Sequence, residues 1–357
     1  MSKSRYEYLN EASQQLYAEL LELSIHAAAA DAAEPLPPGT FVDKKVRGLR
    51  YWYLQTSVGG RRVQRYLGPD SADLRQWMEA VARTRAERRP DFSNRGRLAA
   101  MLVQGGAAAL GAALFRVVEV LADAGVFRLG GVLVGTHAFG PYGNMLGIRW
   151  RRSMLRTHDI DIAQDPVVGV GLQGDAGPSD IPAALEHSEL GFFGIPTLDP
   201  RQPSTSFKIR GQELRVDFLT PLVGPPRPGP VHLSSLRVSA QPLRLLDYLI
   251  ERPVQALMLG RRRALLVNVP DPARFALHKL WTSGRRAASF HAKAVKDLVQ
   301  ASALLEFLTA ERTADVERAW EDLGHRPKVR QDIRRALDGA DDGLFSERVR
   351  ETVAALP

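Results

Sequence analysis

Apolar positions along the chain change period several times, and each change predicts an element. In residues 4–33, Leu9, Leu16, Leu20, Leu21 and Leu23 give one apolar helical face, and Pro35, Pro37, Pro38 and Gly39 end that helix. The segments GLRYWYLQTS and RRVQRYLGP, joined through Val58-Gly59-Gly60, are filled with aromatic and β-branched residues and predict a β-hairpin whose tight turn Gly59-Gly60 permits. Ser71 then caps a helix running to about Arg88, and a charged link over 87–97 marks a boundary. Residues 97–124 read as one long helix leading into an apolar strand at Val132-Leu133-Val134. The run LVGPPRPGP after Pro221 must be a loop, because its prolines can neither donate to a ladder nor continue a helix. Short strands follow over 236–270, clearest at 264–269, then helices over 273–282, 287–308 and 312–323, with two more near the end. The expected organisation is an N-terminal helix–hairpin–helix region (1–96), a central α/β core (97–221) and a mostly helical C-terminal domain (222–357).

Composition narrows the classes. The chain of 357 residues is 45% hydrophobic and 25% charged, ordinary for globular domains able to bury cores. No cysteine is present, which excludes disulfides, thiolate metal sites and cysteine nucleophiles. Residues 98–115 are uncharged, but they are mostly Ala and Gly around Gln104, so a buried helix is expected and no membrane span. With a polar start lacking a leader pattern, the expected location is cytoplasmic. A net charge of +8 suits an anionic partner such as nucleotide or nucleic acid, although Arg-rich and Ala-rich usage also accompanies a GC-rich genome. Neither a GxxxxGK[ST] loop nor a GxSxG elbow occurs, so P-loop and serine-hydrolase chemistries have no support.

The chemistry concentrates between Gly130 and Leu219. Asp159 and Asp161 stand two apart on a predicted strand, so both side chains project from one face. Two like charges held so close repel unless a divalent cation lies between them and the substrate. A third acid, Asp217, sits on the later strand LRVDFL. Upstream, Gly135-Thr136 forms a strand-to-helix turn whose N–H groups suit phosphates; Thr136 as a plain helix cap is the alternative. Arg156, three residues before Asp159, and Lys208, on a strand paired with that of Asp217 if Gly211 turns the hairpin, are candidate triphosphate cations. His137 and His158 flank the site without metal-ligand spacing, which points to structural or substrate-contacting roles. In the hairpin, Tyr51, Tyr53 and Tyr66 interleave with Arg61, Arg62 and Arg65. That is a pattern for single-stranded nucleic acid, but the favoured reading is a hairpin whose rings pack on the N-terminal helix with Arg on the wet face.

With its turn at Val134-Gly135-Thr136, its Asp159-Ile160-Asp161 pair and Asp217, the sequence resembles the polymerase-beta-type nucleotidyltransferase superfamily. The text GVLVGTHAF, RTHDIDIA and LRVDFLTP is similar to a bacterial family of that fold with undetermined substrate. A looser likeness to the toxin-type nucleotidyltransferases of abortive-infection systems extends through Lys279 and Lys296-Asp297. Thr136 departs from the usual Ser or Gly, and the stretch between turn and acid pair is longer than is common. The resemblance implies an α+β core with a short mixed sheet and Mg²⁺ or Mn²⁺ held by Asp159, Asp161 and Asp217. It also implies an NTP, such as ATP, bound at Gly135, Thr136, Arg156, Lys208 and Lys279. The expected reaction moves an NMP to an acceptor hydroxyl with release of pyrophosphate. Asp217 would help to deprotonate the acceptor. RNA, including a tRNA 3′ end in a toxin–antitoxin setting, is the first acceptor; a protein or small-molecule hydroxyl is the alternative. A catalytically silent nucleotide- or nucleic-acid-binding regulator is the remaining reading.

Overall fold

The computed structural model describes residues 5–32, 39–58, 61–87, 89–151, 157–173, 177–196, 203–225, 229–286 and 288–357. Its centre is the strand Arg215–Pro221, whose residues alternate strictly between half-buried and buried. Val216, Phe218 and Thr220 point into the core, so Arg215, Asp217 and Leu219 share the opposite face. Along one edge this strand pairs in parallel with Asp159–Ala163, which in turn pairs antiparallel with Val132–Val134. The other edge is divided. Ser206–Ile209 pairs antiparallel with residues 215–217, and Val238–Leu243 pairs in parallel with residues 219–221. The result is the short mixed sheet expected, in an α+β chain.

The C-terminal helices close over this sheet. Asp271 caps the helix Pro272–Ser283 by accepting the N–H groups of Ala273 (2.9 Å) and Arg274 (3.1 Å). That helix packs along His291–Glu311, and the helices Thr313–Glu321, Pro327–Asp338 and Glu347–Ala355 complete the layer. A single apolar core runs from Phe115 through the sheet to Leu356. A second cluster seats the N-terminal helix on strand Val254–Leu259 through Tyr17, Leu20, Leu102 and Leu257. No helix among the described residues is long and apolar enough to cross a membrane.

Several expectations need correction. The N-terminal helix starts later, at Glu11, with Asn10 accepting the Ser13 N–H at 2.8 Å. The preceding Tyr6–Tyr8 is a strand paired with Ile148–Trp150, where Tyr6 meets Trp150 and Phe307 edge-on; tertiary packing overrides the helical pattern. The long helix over 97–124 is two helices, Arg89–Gln104 and Ala112–Asp123. Gly106, at φ +97°, breaks the helix, and Ala109 then bridges to Leu259. The hairpin is present, but a further strand, Thr40–Val46, makes it a three-stranded sheet. Among the described residues, its tyrosines meet one another and no ring contact joins them to the N-terminal helix. Tyr66 lies 5.4 Å from Tyr53 and 6.2 Å from Tyr51 between ring centres, on the open side of the sheet. The turn at Gly59-Gly60 lies outside the described residues.

Candidate active site

Strand register brings the acids together. In the parallel pair Asp161 stands opposite Asp217, and Asp159 stands opposite Arg215. All four side chains therefore leave the sheet on the face turned from the apolar core. Arg215 lies between the carboxylates, with Nε 2.9 Å from Asp217 Oδ2 and Nη2 3.5 Å from Asp159 Oδ1. Its Nε lacks hydrogen-bond alignment at that distance, so the contact is chiefly electrostatic. Ser206, across the antiparallel edge from Asp217, donates its hydroxyl to Asp217 Oδ1 at 2.5 Å. Burial, then the neighbouring Asp217, pushes the Asp161 carboxyl up to about 7, against the pull of Lys279. Burial also raises Asp217, opposed by the Ser206 hydroxyl and Arg215.

The turn is built around Asp161. Val134 pairs with Asp161 across the antiparallel edge, and the helix Gly135–Met145 begins at the next residue. Gly135 has φ +66°, and a Cβ placed there would collide with Asp161 Oδ2. Only glycine lets the helix start so near the carboxylate. Val134, extended, occupies the cap position and Thr136 the first turn, so the reading of Thr136 as cap is corrected. Val134 makes no side-chain cap, so among the described residues no cap side chain satisfies the first-turn N–H groups beside Asp161.

Of the expected cations, Arg156 lies outside the described residues. Lys208 pairs opposite Arg215, next to Ser206 and Asp217, and Gly211 at φ +71° turns that hairpin as expected. Lys279 is buried over the Phe275 ring with Nζ 2.6 Å from Asp297 Oδ1, while Arg286 holds the other oxygen of Asp297 at 2.6 Å. Lys296, one residue before Asp297, has its ammonium pKa lowered by burial and then by Lys279. Lys293, one helical turn earlier, reaches Asp159 Oδ2 at 3.7 Å. Sequence reasoning missed Arg215, Ser206, Lys293 and Arg286. A signal existed for two of them: Arg215 is two residues from Asp217 on one strand face, and Lys293 is three from Lys296 on one helix face.

A cavity of about 370 Å³ opens beside the turn, between Thr136, His137, Gly140, Asn144, His158 and the strand at Leu257. Among the described residues, its lining includes no Lys, Arg, Asp or Glu. His137 is buried, and its Nε2 has no hydrogen-bond partner among the described residues. Burial first, then Lys296, holds its imidazole at about 4, so it is neutral at ordinary pH.

Among the described residues, no group of three or more His, Asp or Glu stands at ion-binding spacing. The donor chemistry nevertheless fits a hard divalent cation. Asp161 and Asp217 are adjacent carboxylates that raise each other's charge cost, in a cradle that a Cβ at residue 135 would fill. A cation there would compete with Arg215 for the oxygens of Asp217. In comparison with known families, the model of a family described as Nucleotidyltransferase matches residues 112–324. A second, described as Domain of unknown function (DUF6788), matches residues 6–76. No curated protein and no solved structure matches the chain.

Proposed function

Because the chain belongs to the nucleotidyltransferase family, we propose that it transfers a nucleoside monophosphate from an NTP to the hydroxyl of an RNA acceptor, by way of Asp159, Asp161 and Asp217. The observation that carries this reading is the register setting Asp161 against Asp217 at the start of the helix Gly135–Met145. In the reaction the acceptor oxygen bonds to the α-phosphorus, the bond to the bridging oxygen breaks, and pyrophosphate leaves with that electron pair. Asp217, raised in pKa and next to the acceptor side, takes the hydroxyl proton. The first-turn N–H groups after Gly135 and the side chains of Lys208 and Lys293 cradle the phosphates. Lys279, tied to Asp297, sets the positive field behind Asp161. Mg²⁺ or Mn²⁺, bound by the three aspartates, would supply charge neutralisation at the phosphates.

The cavity, whose described lining is uncharged, suits the nucleobase. The chain's excess of positive charge favours RNA over a neutral small molecule as acceptor. The reading is tested by incubating the protein with each α-labelled NTP, Mg²⁺ and separate pools of cellular RNA and protein, beside an Asp159→Ala/Asp161→Ala control. Label should enter the RNA pool and be missing with the control. Equal labelling by both proteins rejects the assignment of the acids, and label in the protein pool alone rejects RNA.

A further inference from the structure

The small sheet made by Thr40–Val46, Leu49–Val58 and Arg61–Pro69 has one closed face and one open face. Register places Phe41, Trp52 and Leu54 on the closed side. There Leu54 is fully buried, Phe41 meets Trp77 of the helix Ala72–Glu87, and the guanidinium of Arg85 lies over Phe41. This side supplies the sheet's core. The open side carries Lys44, Tyr51, Tyr53, Arg62, Gln64 and Tyr66, and Tyr66 is 53% exposed. Lys44 Nζ stands 4.8 Å above the Tyr53 ring, and Tyr66 meets both Tyr51 and Tyr53.

Charge is sorted between the two faces. Between Thr40 and Asp70 there are seven Lys or Arg against two acids, Asp43 and Asp70. Asp43 lies on the closed side and pairs with Arg50 at 3.3 Å, and Asp70 is held by Trp52 and Arg75. The register therefore leaves the open face aromatic and basic, with no carboxylate on it. Structural tyrosines earn their place by burial against a core; these line the wet side of a sheet whose core lies on its other side.

We propose that this open face binds single-stranded RNA, with bases stacked on Tyr51, Tyr53 and Tyr66 and phosphates neutralised by Lys44 and Arg62. Flat rings beside mobile cations are the chemistry of sequence-tolerant single-strand binding. Tyr51 and Tyr53 recur about 6.7 Å apart along the strand, so successive bases can be engaged in an extended backbone. An acidic protein would meet the charge without using the rings. The choice of RNA over DNA rests on the proposed transfer to an RNA hydroxyl; the stacking surface does not.

The test is fluorescence anisotropy of the full-length protein with a labelled single-stranded oligoribonucleotide of about a dozen residues, without NTP. Tyr53→Ala/Tyr66→Ala should weaken binding roughly 10- to 100-fold, with the unfolding midpoint held. If that pair perturbs the sheet, Tyr53→Leu/Tyr66→Leu keeps apolar bulk and still removes the stacking rings. Lys44→Ala/Arg62→Ala should lower the salt slope by about 1.4. Unchanged affinity in every sheet variant, or equal affinity for a duplex or polyglutamate, overturns the proposal; equal affinity for a DNA oligomer overturns its choice of RNA. RNA bound through the sheet but never labelled would defeat the transfer reading alone, and RNA labelled by a protein whose oligomer affinity is indifferent to the sheet variants would defeat this one alone.

Discussion

Asp297 is a buried carboxylate and Asp161 a half-buried one, and the protein solvates them in opposite ways. Asp297, on the helix His291–Glu311, receives Lys279 and Arg286 at 2.6 Å, one cation on each oxygen. Asp161, on the central sheet, faces Asp217 and Asp159, and its pKa is driven up to about 7. Arg274 repeats the first arrangement: it is 2% exposed, donates to the Tyr248 carbonyl at 2.7 Å and pairs with Glu251 and Asp322. A buried charge with its partners in place is scaffold. One left beside like charges is held there by the fold for something else to neutralise.

The largest effect that can break this contrast is on turnover. Asp161→Asn preserves shape and removes the charge, so nucleotidyl transfer should fall on the order of 10²–10⁴-fold. The same change should leave the ion-free protein as stable as before or more so, since it relieves repulsion with Asp217. A variant with full turnover, or one that unfolds, would place Asp161 in the scaffold class with Asp297.

Asp297→Asn should behave in the reverse manner. It strands Lys279 and Arg286 around a site that cannot balance them, which costs about 3–5 kcal/mol for a broken buried pair. Denaturant unfolding of the two asparagine variants side by side measures the contrast directly. Losses of similar size would remove it.

Gly135→Ala probes the geometry that holds Asp161 in place. The backbone there is left-handed, and the new methyl collides with the carboxylate. We expect a loss of about 2–3 kcal/mol from strain and displacement, together with reduced turnover. A Gly143→Ala control tests crowding elsewhere in the same helix, against Trp150. If only the control lost stability, the tight approach of turn to acid would not be a real constraint.

How much of this was legible beforehand follows from which patterns are local. The spacing of Asp159 and Asp161 on a strand, and the apolar alternation around Asp217, put three acids on sheet faces without any structure. Register between strands was not readable, so the opposition of Asp161 to Asp217 and the insertion of Arg215 emerged only from pairing. Helix-to-sheet docking was equally hidden: Lys279 had no sequence cue for a partner at residue 297 beyond family likeness. Thr40–Val46 escaped because DKK interrupts its apolar positions and four prolines or glycines precede it. Gly105-Gly106 did announce the helix break, but the long apolar pattern through it was given more weight. In the small sheet, period two already separated Tyr51 and Tyr53 from Trp52 and Leu54; which pair faced the core depended on the helix at Trp77.

The smallest effect is the pH dependence of stability without divalent ions, and its sign separates two kinds of buried group. An acid whose folded pKa is raised binds its proton more tightly when folded. Asp161 therefore favours the folded state most below about pH 4, and that contribution is lost as pH rises to about 7. His137 and His278 act oppositely. Burial holds both at about 4, so the unfolded chain binds more protons between about 4 and 6.5, and stability rises with pH across that window. The opposing slopes partly cancel in the wild type. Subtracting the Asp161→Asn curve removes the histidine contribution common to both. The difference, wild type minus variant, should fall by on the order of 2 kcal/mol between pH 4 and 7 and then level off. Saturating Mg²⁺ should flatten that fall, because an ion bound between the carboxylates replaces the proton. Parallel curves in chelator would mean that Asp161 is already compensated, and its contrast with Asp297 would disappear.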